Sequence, residues 1–258
     1  MTVKLQNKIS DWLKDYLITN NLNCFVVGVS GGIDSAVVST LCAKTNVKTI
    51  ALNLPINSKP SNTDLSSLHC GWLCNNFDNV QSRHIDLSST FDNFESTMIA
   101  HNYDTKLGSA NSKSRLRMMS LYHVATYNSG IVVGTGNKVE DFGVGFYTKY
   151  GDGGVDISPI ADLTKTQVRE LANSLGIRKE IILAPPTDGL WEDSRTDEEQ
   201  IGASYEELEW AMKHINSISN HKNILTDRQK EVIKIYNRFH TKNKHKMQSI
   251  PVFDASDF

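Results

Sequence analysis

Residues 25–36 read FVVGVSGGIDSA, and the predicted architecture follows from this segment. The apolar run from Phe25 to Val29 is typical of a buried strand that ends at a glycine loop. From Asp34 to Cys42 the apolar residues recur on one side, which predicts a helix. Strand, glycine loop and helix in this order form a cradle for phosphate, because glycines let the backbone approach an anion and a helix N-terminus presents unpaired N–H groups.

The loop differs from a Walker loop in its charged residues. It has no lysine to reach the outer phosphates, and Asp34 places a negative charge beside the anion. A carboxylate at this position requires a divalent cation between it and the phosphate. The pattern Ser-Gly-Gly-x-Asp-Ser resembles the pyrophosphate loop of the ATP pyrophosphatases, which split ATP between its α and β phosphates. The alternative is a glycine-rich turn with an N-capping serine.

The composition excludes several classes of protein. At 258 residues and a net charge of −2, the chain can bury a core and has no basic field for nucleic acid. Charges interrupt the apolar residues of the N-terminal segment, so we predict neither a membrane span nor a secretion signal. We therefore expect a cytoplasmic protein that binds neither nucleic acid nor membrane. The cysteines lack zinc-site spacing and are interpreted as reduced packing residues: Cys24, Cys42, Cys70 and Cys74.

Strand and helix patterns alternate along the chain. Further strands are predicted at Lys48–Pro55, Val80–Leu87 and Ile131–Val133. Helices are predicted around them and after them, at Leu65–Phe77, Phe91–His101, Ser112–Tyr127 and Ile224–Phe239, with one more containing Tyr205 and Leu208. We predict an α/β fold, doubly wound (Rossmann-like), with a mainly parallel sheet, helices on both faces and C-terminal helices. Ligands of such sheets lie at the carboxyl ends of strands near the switch point.

A second strand also runs into a loop of small residues. Ile131–Val133 leads to Gly134, Thr135 and Gly136, and Glu140 follows shortly after. This pattern suits a second wall of a nucleotide site, in which Glu140 is the second carboxylate of a metal opposite Asp34. The alternative is a glycine-rich turn followed by a glutamate at a helix N-terminus.

Residues 147–156, YTKYGDGGVD, have too few aliphatic side chains for a strand and are typical of a binding loop. With the segments around it, this loop resembles NAD synthetase over nearly the whole chain. The matching segments appear in the family's order: Asn111, Lys113, Arg115, Arg117 and Met118; Gly134–Asn137 with Glu140; Thr148–Gly154; Leu163–Gln167; Pro186 and Thr187; His245, Lys246, Pro251, Phe253 and Asp254.

The resemblance implies functional residues at matching positions. Magnesium would be held by Asp34 and Glu140. Deamido-NAD would contact Arg115, Lys149, Asp156, His245 and Lys246. ATP would contact Gly28, Val29, Ser30, Gly31, Gly32, Ile33, Asp34, Ser35, Thr135, Lys165 and Thr187.

The resemblance also implies a ligase reaction in two steps. The nicotinate carboxylate of deamido-NAD attacks the α-phosphorus of ATP, and ammonia then displaces AMP to give NAD. Lys165 and Mg²⁺ would stabilise the first transition state, and Asp152 is the candidate that receives a proton from ammonium. An aspartate in a glycine loop equally suits the capping of backbone N–H groups.

The resemblance sets expectations for the whole protein as well. We expect a homodimer, with residues 1–258 forming a single synthetase domain without a glutaminase domain, so that free ammonia is the nitrogen donor. Two alternatives stay open: another ATP pyrophosphatase that amidates or thiolates nucleotides or transfer RNA, and a nonenzymatic nucleotide sensor. An assay with ATP, magnesium, ammonium and deamido-NAD separates the sensor from the enzymes.

Three segments depart from the family or stay open. Met247, Gln248 and Ser249 follow His245-Lys246, where relatives often have arginine. The spacing from Glu140 to Lys149 is one residue longer than in some relatives, so we expect a loop of different shape. Residues 184–199 are interpreted as a surface loop or as a lid over the substrate.

Overall fold

A sheet of four parallel strands forms the centre of the molecule. The computed structural model describes residues 2–58, 60–187, 195–217 and 224–255, and for residues 60–63 the backbone only. The strands lie in the order β3-β2-β1-β4, with Phe25 opposite both Thr49 and Ile131. They are β1 (Phe25–Gly28), β2 (Thr49–Asn53), β3 (Val80–His84) and β4 (Ile131–Val132). The predicted parallel sheet is confirmed.

Ten α-helices are present in the described residues, and those that precede the C-terminal helices cover both faces of the sheet. Val27 packs with residues of α1, α2 and α6 on one face, whereas Val26 packs with α4 and α5 on the other. This is the doubly wound α/β arrangement that the sequence predicts. The helices are α1 (Thr2–Thr19), α2 (Ile33–Lys44), α3 (Pro60–Asn76), α4 (Ser88–Ala100), α5 (Lys106–Tyr127), α6 (Lys165–Ser174), α7 (Lys179–Ile182), α8 (Asp197–Ile201), α9 (Tyr205–Asn216) and α10 (Asp227–Met247).

The C-terminal helices form a separate hydrophobic cluster beside the sheet. Tyr205 and Leu208 of α9 and Val232 of α10 pack against Val139 and Val144, which begin and end a π-helical turn. The predicted C-terminal helices are therefore confirmed, although α10 begins later and runs farther than its apolar pattern indicates. A capping box at its N-terminus, in which the side chain of Thr226 accepts from the backbone N–H of Gln229, fixes that start.

The strand order places a switch point between β1 and β4. The chain leaves β1 towards β2 and β3 on one side and returns to β4 on the other side. The carboxyl ends of β1 and β4 therefore diverge into loops that flank a crevice, which is where open α/β sheets bind ligands. The loop after β1 contains Ser30–Gly32, and the loop after β4 contains Gly134–Asn137.

Three of the four cysteines are packing residues, as the sequence predicts. Cys24, Cys42 and Cys70 are buried thiols, and all four cysteines are free. The prediction is wrong for Cys74, which is exposed. Cys70 belongs to a hydrophobic cluster with Leu73, and Cys74 lies outside this cluster although it is only one helical turn farther along α3.

The segment interpreted as a loop or lid lies partly outside the described residues, which omit 188–194. Its two ends are joined by hydrogen bonds. The backbone N–H of Asp197 donates to the carbonyl of Pro186 at 3.0 Å, and the hydroxyl of Thr187 donates to the carbonyl of Arg195 at 3.3 Å. In the described part of the chain, no helix combines the length and apolar character that crossing a membrane requires.

Candidate active site at the sheet switch point

The glycine loop after β1 is held by its own serines. The Oγ of Ser35 accepts from the N–H of Ser30 at 3.2 Å and lies 3.1 Å from the Oγ of Ser30, which in turn accepts from the N–H of Gly32. Gly31 has a φ of +90°, a conformation that favours glycine. The N-cap of α2 is Gly32, without a side-chain cap, so the N-capping serine considered above is not present. The first-turn N–H groups of α2 consequently have no capping side chain.

Three charged side chains from distant parts of the chain meet beside this loop. The ammonium of Lys165 lies 2.5 Å from Oδ2 of Asp34 and 3.1 Å from Oε1 of Glu140. The side chain of Lys165 is only 3% exposed, and those of the acids are 17% and 16% exposed. Asp34 lies in the first turn of α2, Glu140 in the π-helical turn and Lys165 at the start of α6. The structure thus brings both predicted metal carboxylates to one point.

Two carboxyl groups face a single ammonium in this cluster. Burial lowers the pKa of Lys165, but the attraction of Asp34 and Glu140 outweighs burial, so its pKa is raised and its ammonium stays charged. Burial raises the pKa of Asp34, and repulsion by Glu140 adds to this increase, while Lys165 offsets part of it. Two carboxylates share a single lysine, so the three side chains together would carry a net charge of −1 when both acids are ionised. A second cation would relieve this surplus.

Two residues that support the cluster received no role from the sequence. Asn137 is fully buried, and its Oδ1 accepts from the N–H groups of Val139 and Glu140, while its Nδ2 lies 3.5 Å from Asp34. Tyr205 donates its hydroxyl to Oε1 of Glu140 at 2.5 Å. Asn137 stands within a motif that marked the site. Tyr205 matched only the apolar face of a helix, and no local pattern points to its hydroxyl.

Glu140 lies in a short helical turn, and the expected difference in loop shape from some relatives stays a prediction. Residues 139–144 form a π-helical turn. The turn ends at Gly145, whose φ is +64°. The ammonium of Lys246 donates to the carbonyls of Gly145 and Tyr147, each at 2.6 Å. Lys246, predicted to contact deamido-NAD, therefore holds the backbone that follows the turn.

Three of the residues predicted to contact deamido-NAD lie together. Nη2 of Arg115 is 3.4 Å from the carbonyl of Lys149, and the ammonium of Lys149 donates to the carbonyl of His245 at 3.1 Å. Asp156 is engaged elsewhere, because its carboxylate accepts from the N–H of Val132 and the hydroxyl of Tyr122. Asp156 thus ties the loop to β4.

Asp152 lies in the glycine-rich loop of residues 147–156. Its Oδ1 accepts from the hydroxyl of Ser114 at 2.7 Å and from the N–H of Thr148 at 3.0 Å, so it caps this loop. Surrounding protein atoms raise the pKa of Asp152 by desolvation, although part of the residue is open to solvent. The two hydrogen bonds lower the pKa in part. Both of these hydrogen bonds are accepted by Oδ1, and Oδ2 accepts none from the described residues.

The residues at the switch point fit a magnesium ion that is completed by its substrate. Within the described residues, no three His, Cys, Asp or Glu side chains are placed to hold a metal by themselves. Two carboxylates nevertheless converge at the ammonium of Lys165, and carboxylate oxygens are the protein ligands that Mg²⁺ prefers. Mg²⁺ typically takes one or two carboxylates together with phosphate oxygens and water.

Comparison with known proteins yields one family. The sequence model of the family described as NAD synthase matches residues 5–250. The NH₃-dependent NAD⁺ synthetase of Methanosarcina acetivorans is 34% identical over 255 residues, covering 96% of this chain and 97% of the relative.

Solved structures agree with this result. The NMN synthetase of Francisella tularensis has a TM-score of 0.87 and 29% identity, with 98% of this chain and 99% of that chain covered. The NH₃-dependent NAD synthetase of Campylobacter jejuni, solved with a nitrate ion, has a TM-score of 0.79 and 25% identity, with 98% and 100% covered.

Proposed function

The chain belongs to the NAD synthase family, and we propose that its switch-point cluster carries the reaction of that family, the ATP-dependent amidation of deamido-NAD by ammonia to give NAD, AMP and pyrophosphate. This is a carbon–nitrogen ligase reaction. The observation that supports the assignment most is the meeting of Asp34, Glu140 and Lys165 beside the glycine loop.

In the first step, a nicotinate oxygen forms a bond to the α-phosphorus of ATP while the bond to the bridging α–β oxygen breaks, and pyrophosphate leaves. The glycine loop, Gly28 to Ser35, offers N–H groups to the phosphates, and Thr135 and Thr187 complete the proposed ATP contacts. Lys165 keeps Asp34 and Glu140 together and offsets charge that builds up on pyrophosphate. Magnesium bound by the two acids would neutralise phosphate charge.

In the second step, ammonia attacks the activated carboxyl carbon, and AMP leaves with the oxygen that joined it to the nicotinate. Ammonium must lose a proton before it attacks, and the free carboxylate oxygen of Asp152 would accept this proton. Deamido-NAD would be held by Arg115, Lys149 and His245. Arg115 contacts Lys149 and Lys149 contacts His245, and the side chains of Arg115 and Lys149 carry positive charge. Lys246 and Asp156 would shape this subsite through their backbone contacts.

The test of the proposed function uses the purified chain with ATP, Mg²⁺, ammonium and deamido-NAD. We expect NAD, AMP and pyrophosphate in equal amounts. The appearance of ADP and phosphate, or the absence of any nucleotide product, would contradict the proposal. Glutamine in place of ammonium tests the nitrogen donor, and we expect it to support no turnover in a single synthetase domain formed by residues 1–258.

A second candidate differs only in the size of the acid substrate. The likeness to an NMN synthetase covers nearly all of both chains at a TM-score of 0.87. Nicotinate mononucleotide offers the same carboxylate as deamido-NAD but lacks the AMP half, so both acids suit the same chemistry. Measuring kcat/KM for the two acids side by side decides between them: a higher value for the mononucleotide would favour the second candidate.

We also propose a homodimer. Large apolar side chains are exposed along α4, α5 and the link between them: Phe94, Ile99, Tyr103, Leu107, Met119 and Tyr127. A second copy would cover such a face. Light scattering after size exclusion would give twice the chain mass, and a mass near 28.8 kDa would contradict the proposal. The cytoplasmic location stays a prediction from composition.

A further inference from the structure

Helix α9 presents two polar side chains to the candidate site from one face. Tyr205 and Glu209 are four residues apart, so they lie one above the other on the helix. Tyr205 is fully buried, and Glu209 is 6% exposed. A buried carboxylate is costly unless it is paired or hydrogen-bonded, so the partners of Glu209 explain why it is tolerated.

Glu209 holds the first turn of α6. Its Oε1 accepts from the backbone N–H of Thr166 at 2.9 Å, and its Oε2 accepts from the hydroxyl of the same residue at 3.0 Å. Thr166 directly follows Lys165, which is the first residue of α6. A carboxylate is also favourable at a helix N-terminus because of the helix dipole. Glu209 therefore fixes the backbone from which Lys165 extends.

Tyr205 contacts Glu140, one of the two carboxylates that pair with Lys165. Oε1 of Glu140 accepts from both the hydroxyl of Tyr205, at 2.5 Å, and the ammonium of Lys165, at 3.1 Å. The ammonium of Lys165 also lies 4.6 Å from the centre of the Tyr205 ring. A single side chain of α9 thus contacts both Glu140 and Lys165.

We propose that Tyr205 and Glu209 are positioning residues that fix Glu140 and Lys165 for phosphoryl transfer. This inference rests on the roles proposed above for Glu140 and Lys165. A lysine has a flexible stem, and catalysis by charge requires that its ammonium be placed before the reaction begins. Helix α9, which belongs to the hydrophobic cluster of the C-terminal helices beside the sheet, would hold the ammonium of Lys165 in place.

The chain offers a matched control for each residue. Glu206 also joins α9 to α6, but it does so at the surface through Arg169, at 2.6 Å. Glu206→Gln therefore makes the same replacement as Glu209→Gln, of a carboxylate by an amide between α9 and α6, but away from Lys165. Tyr236 is a buried tyrosine of the same C-terminal cluster, so Tyr236→Phe matches Tyr205→Phe.

The experiment measures kcat, the KM of ATP and the midpoint of thermal unfolding for the four variants. All rates are taken well below the lowest midpoint. We expect Tyr205→Phe and Glu209→Gln each to lower kcat about tenfold while the KM of ATP changes less than about threefold. Both controls should keep kcat within about twofold of the parent chain. Tyr205→Phe removes one atom and Glu209→Gln preserves side-chain volume, so either variant alone tests the inference.

A double variant shows whether Tyr205 acts through Glu140. In a chain that carries Glu140→Leu, which removes the oxygen that accepts from Tyr205, adding Tyr205→Phe should lower kcat by less than about twofold, because coupled residues are not additive. A full tenfold loss in that background would overturn the inference, as would kcat values for Tyr205→Phe and Glu209→Gln equal to those of their controls.

The single variants Glu140→Gln and Lys165→Met separate the inference from its premise. If these two lose activity while Tyr205→Phe and Glu209→Gln do not, only the positioning roles are wrong. If Glu140→Gln and Lys165→Met keep full activity, the proposed function of the cluster is wrong, and the positioning inference is wrong with it.

Discussion

The glycine loop and the charged cluster lie at the same end of the sheet, yet they are held in different ways. Hydrogen bonds between Ser30, Gly32 and Ser35, no more than five positions apart, hold the loop. The cluster joins Lys165 to Asp34 across 131 positions and to Glu140 across 25. The loop is therefore a local structure that offers neutral N–H groups, whereas the cluster depends on the whole fold and supplies charge.

Removing the cluster's cation should have the largest effect. Lys165→Met leaves Asp34 and Glu140 facing each other in a buried site, and we expect kcat/KM to fall about 10³-fold and the free energy of unfolding to fall by about 3 kcal/mol. Release of AMP and urea unfolding measure the two changes. Lys138→Met is the control, since Lys138 pairs at the surface with Asp162, whose side chain is 92% exposed. Activity of Lys165→Met within tenfold of the parent would contradict the role of the cluster.

Straining the glycine loop after β1 should lower activity less than removing Lys165 does. A second glycine with a positive φ serves as the control that separates strain from function. Gly31→Ala places a side chain at a φ of +90°, so we expect about 1–3 kcal/mol of destabilisation and a loss of about 100-fold in kcat/KM. Gly176→Ala is strained in the same way at a φ of +72° but is remote from the switch point, at the end of α6. Equal losses of activity in the two variants would mean that the loop contributes only stability.

Asp152 tests whether the second step can be separated from the first. Asp152→Asn keeps an Oδ1 that accepts from Ser114 and Thr148 but removes the acid. We expect NAD formation with ammonium to fall about 100-fold near neutral pH, while pyrophosphate release in the first turnover changes little. Ser114→Ala is the control that removes both hydrogen bonds between Ser114 and Asp152 and keeps the acid. Equal slowing of both steps by Asp152→Asn would show that Asp152 only shapes the loop.

A pH effect on stability is expected at Asp141. Burial, with repulsion from Glu140, Asp152 and Asp34, raises the pKa of Asp141 to about 8. Between about pH 4 and pH 8, the native state therefore binds a proton that the unfolded state has lost, so stability falls as pH rises through this range. In the presence of a chelator, Asp141→Asn should reduce this slope, which is at most about 1.4 kcal/mol per pH unit for one group. Urea unfolding at pH 5 and pH 7.5 measures it, and an unchanged slope would contradict the assignment.

The sequence predicts the fold and the loop well because both depend on neighbouring residues. The apolar run at Phe25, the glycines after it and the helical pattern from Asp34 all lie within one short segment, and the alternation of such segments dictates a parallel sheet. The element ends are less predictable. Strand β3 ends at His84, earlier than its pattern indicates, and α10 runs on to Met247.

The charged cluster is predictable only in part. Asp34 and Glu140 belong to motifs at the ends of strands, and their meeting follows from the switch point. The contact between Glu140 and Tyr205 spans 65 positions and depends on how the C-terminal helices pack against the π-helical turn. Apolar periodicity places Tyr205 in the core but does not show where its hydroxyl points. The burial of Glu209 is equally hard to predict, because a glutamate at this position is also compatible with a solvent-exposed helix face.

The most direct test of the account follows an oxygen atom through the reaction. Deamido-NAD labelled with ¹⁸O in both oxygens of its nicotinate carboxylate is turned over by the chain with ATP, Mg²⁺ and ammonium, and the AMP is analysed by mass spectrometry. Attack of the carboxylate on the α-phosphorus predicts one ¹⁸O atom in each AMP and none in pyrophosphate. Unlabelled AMP would show that the phosphorus was attacked by another oxygen, and it would contradict the account.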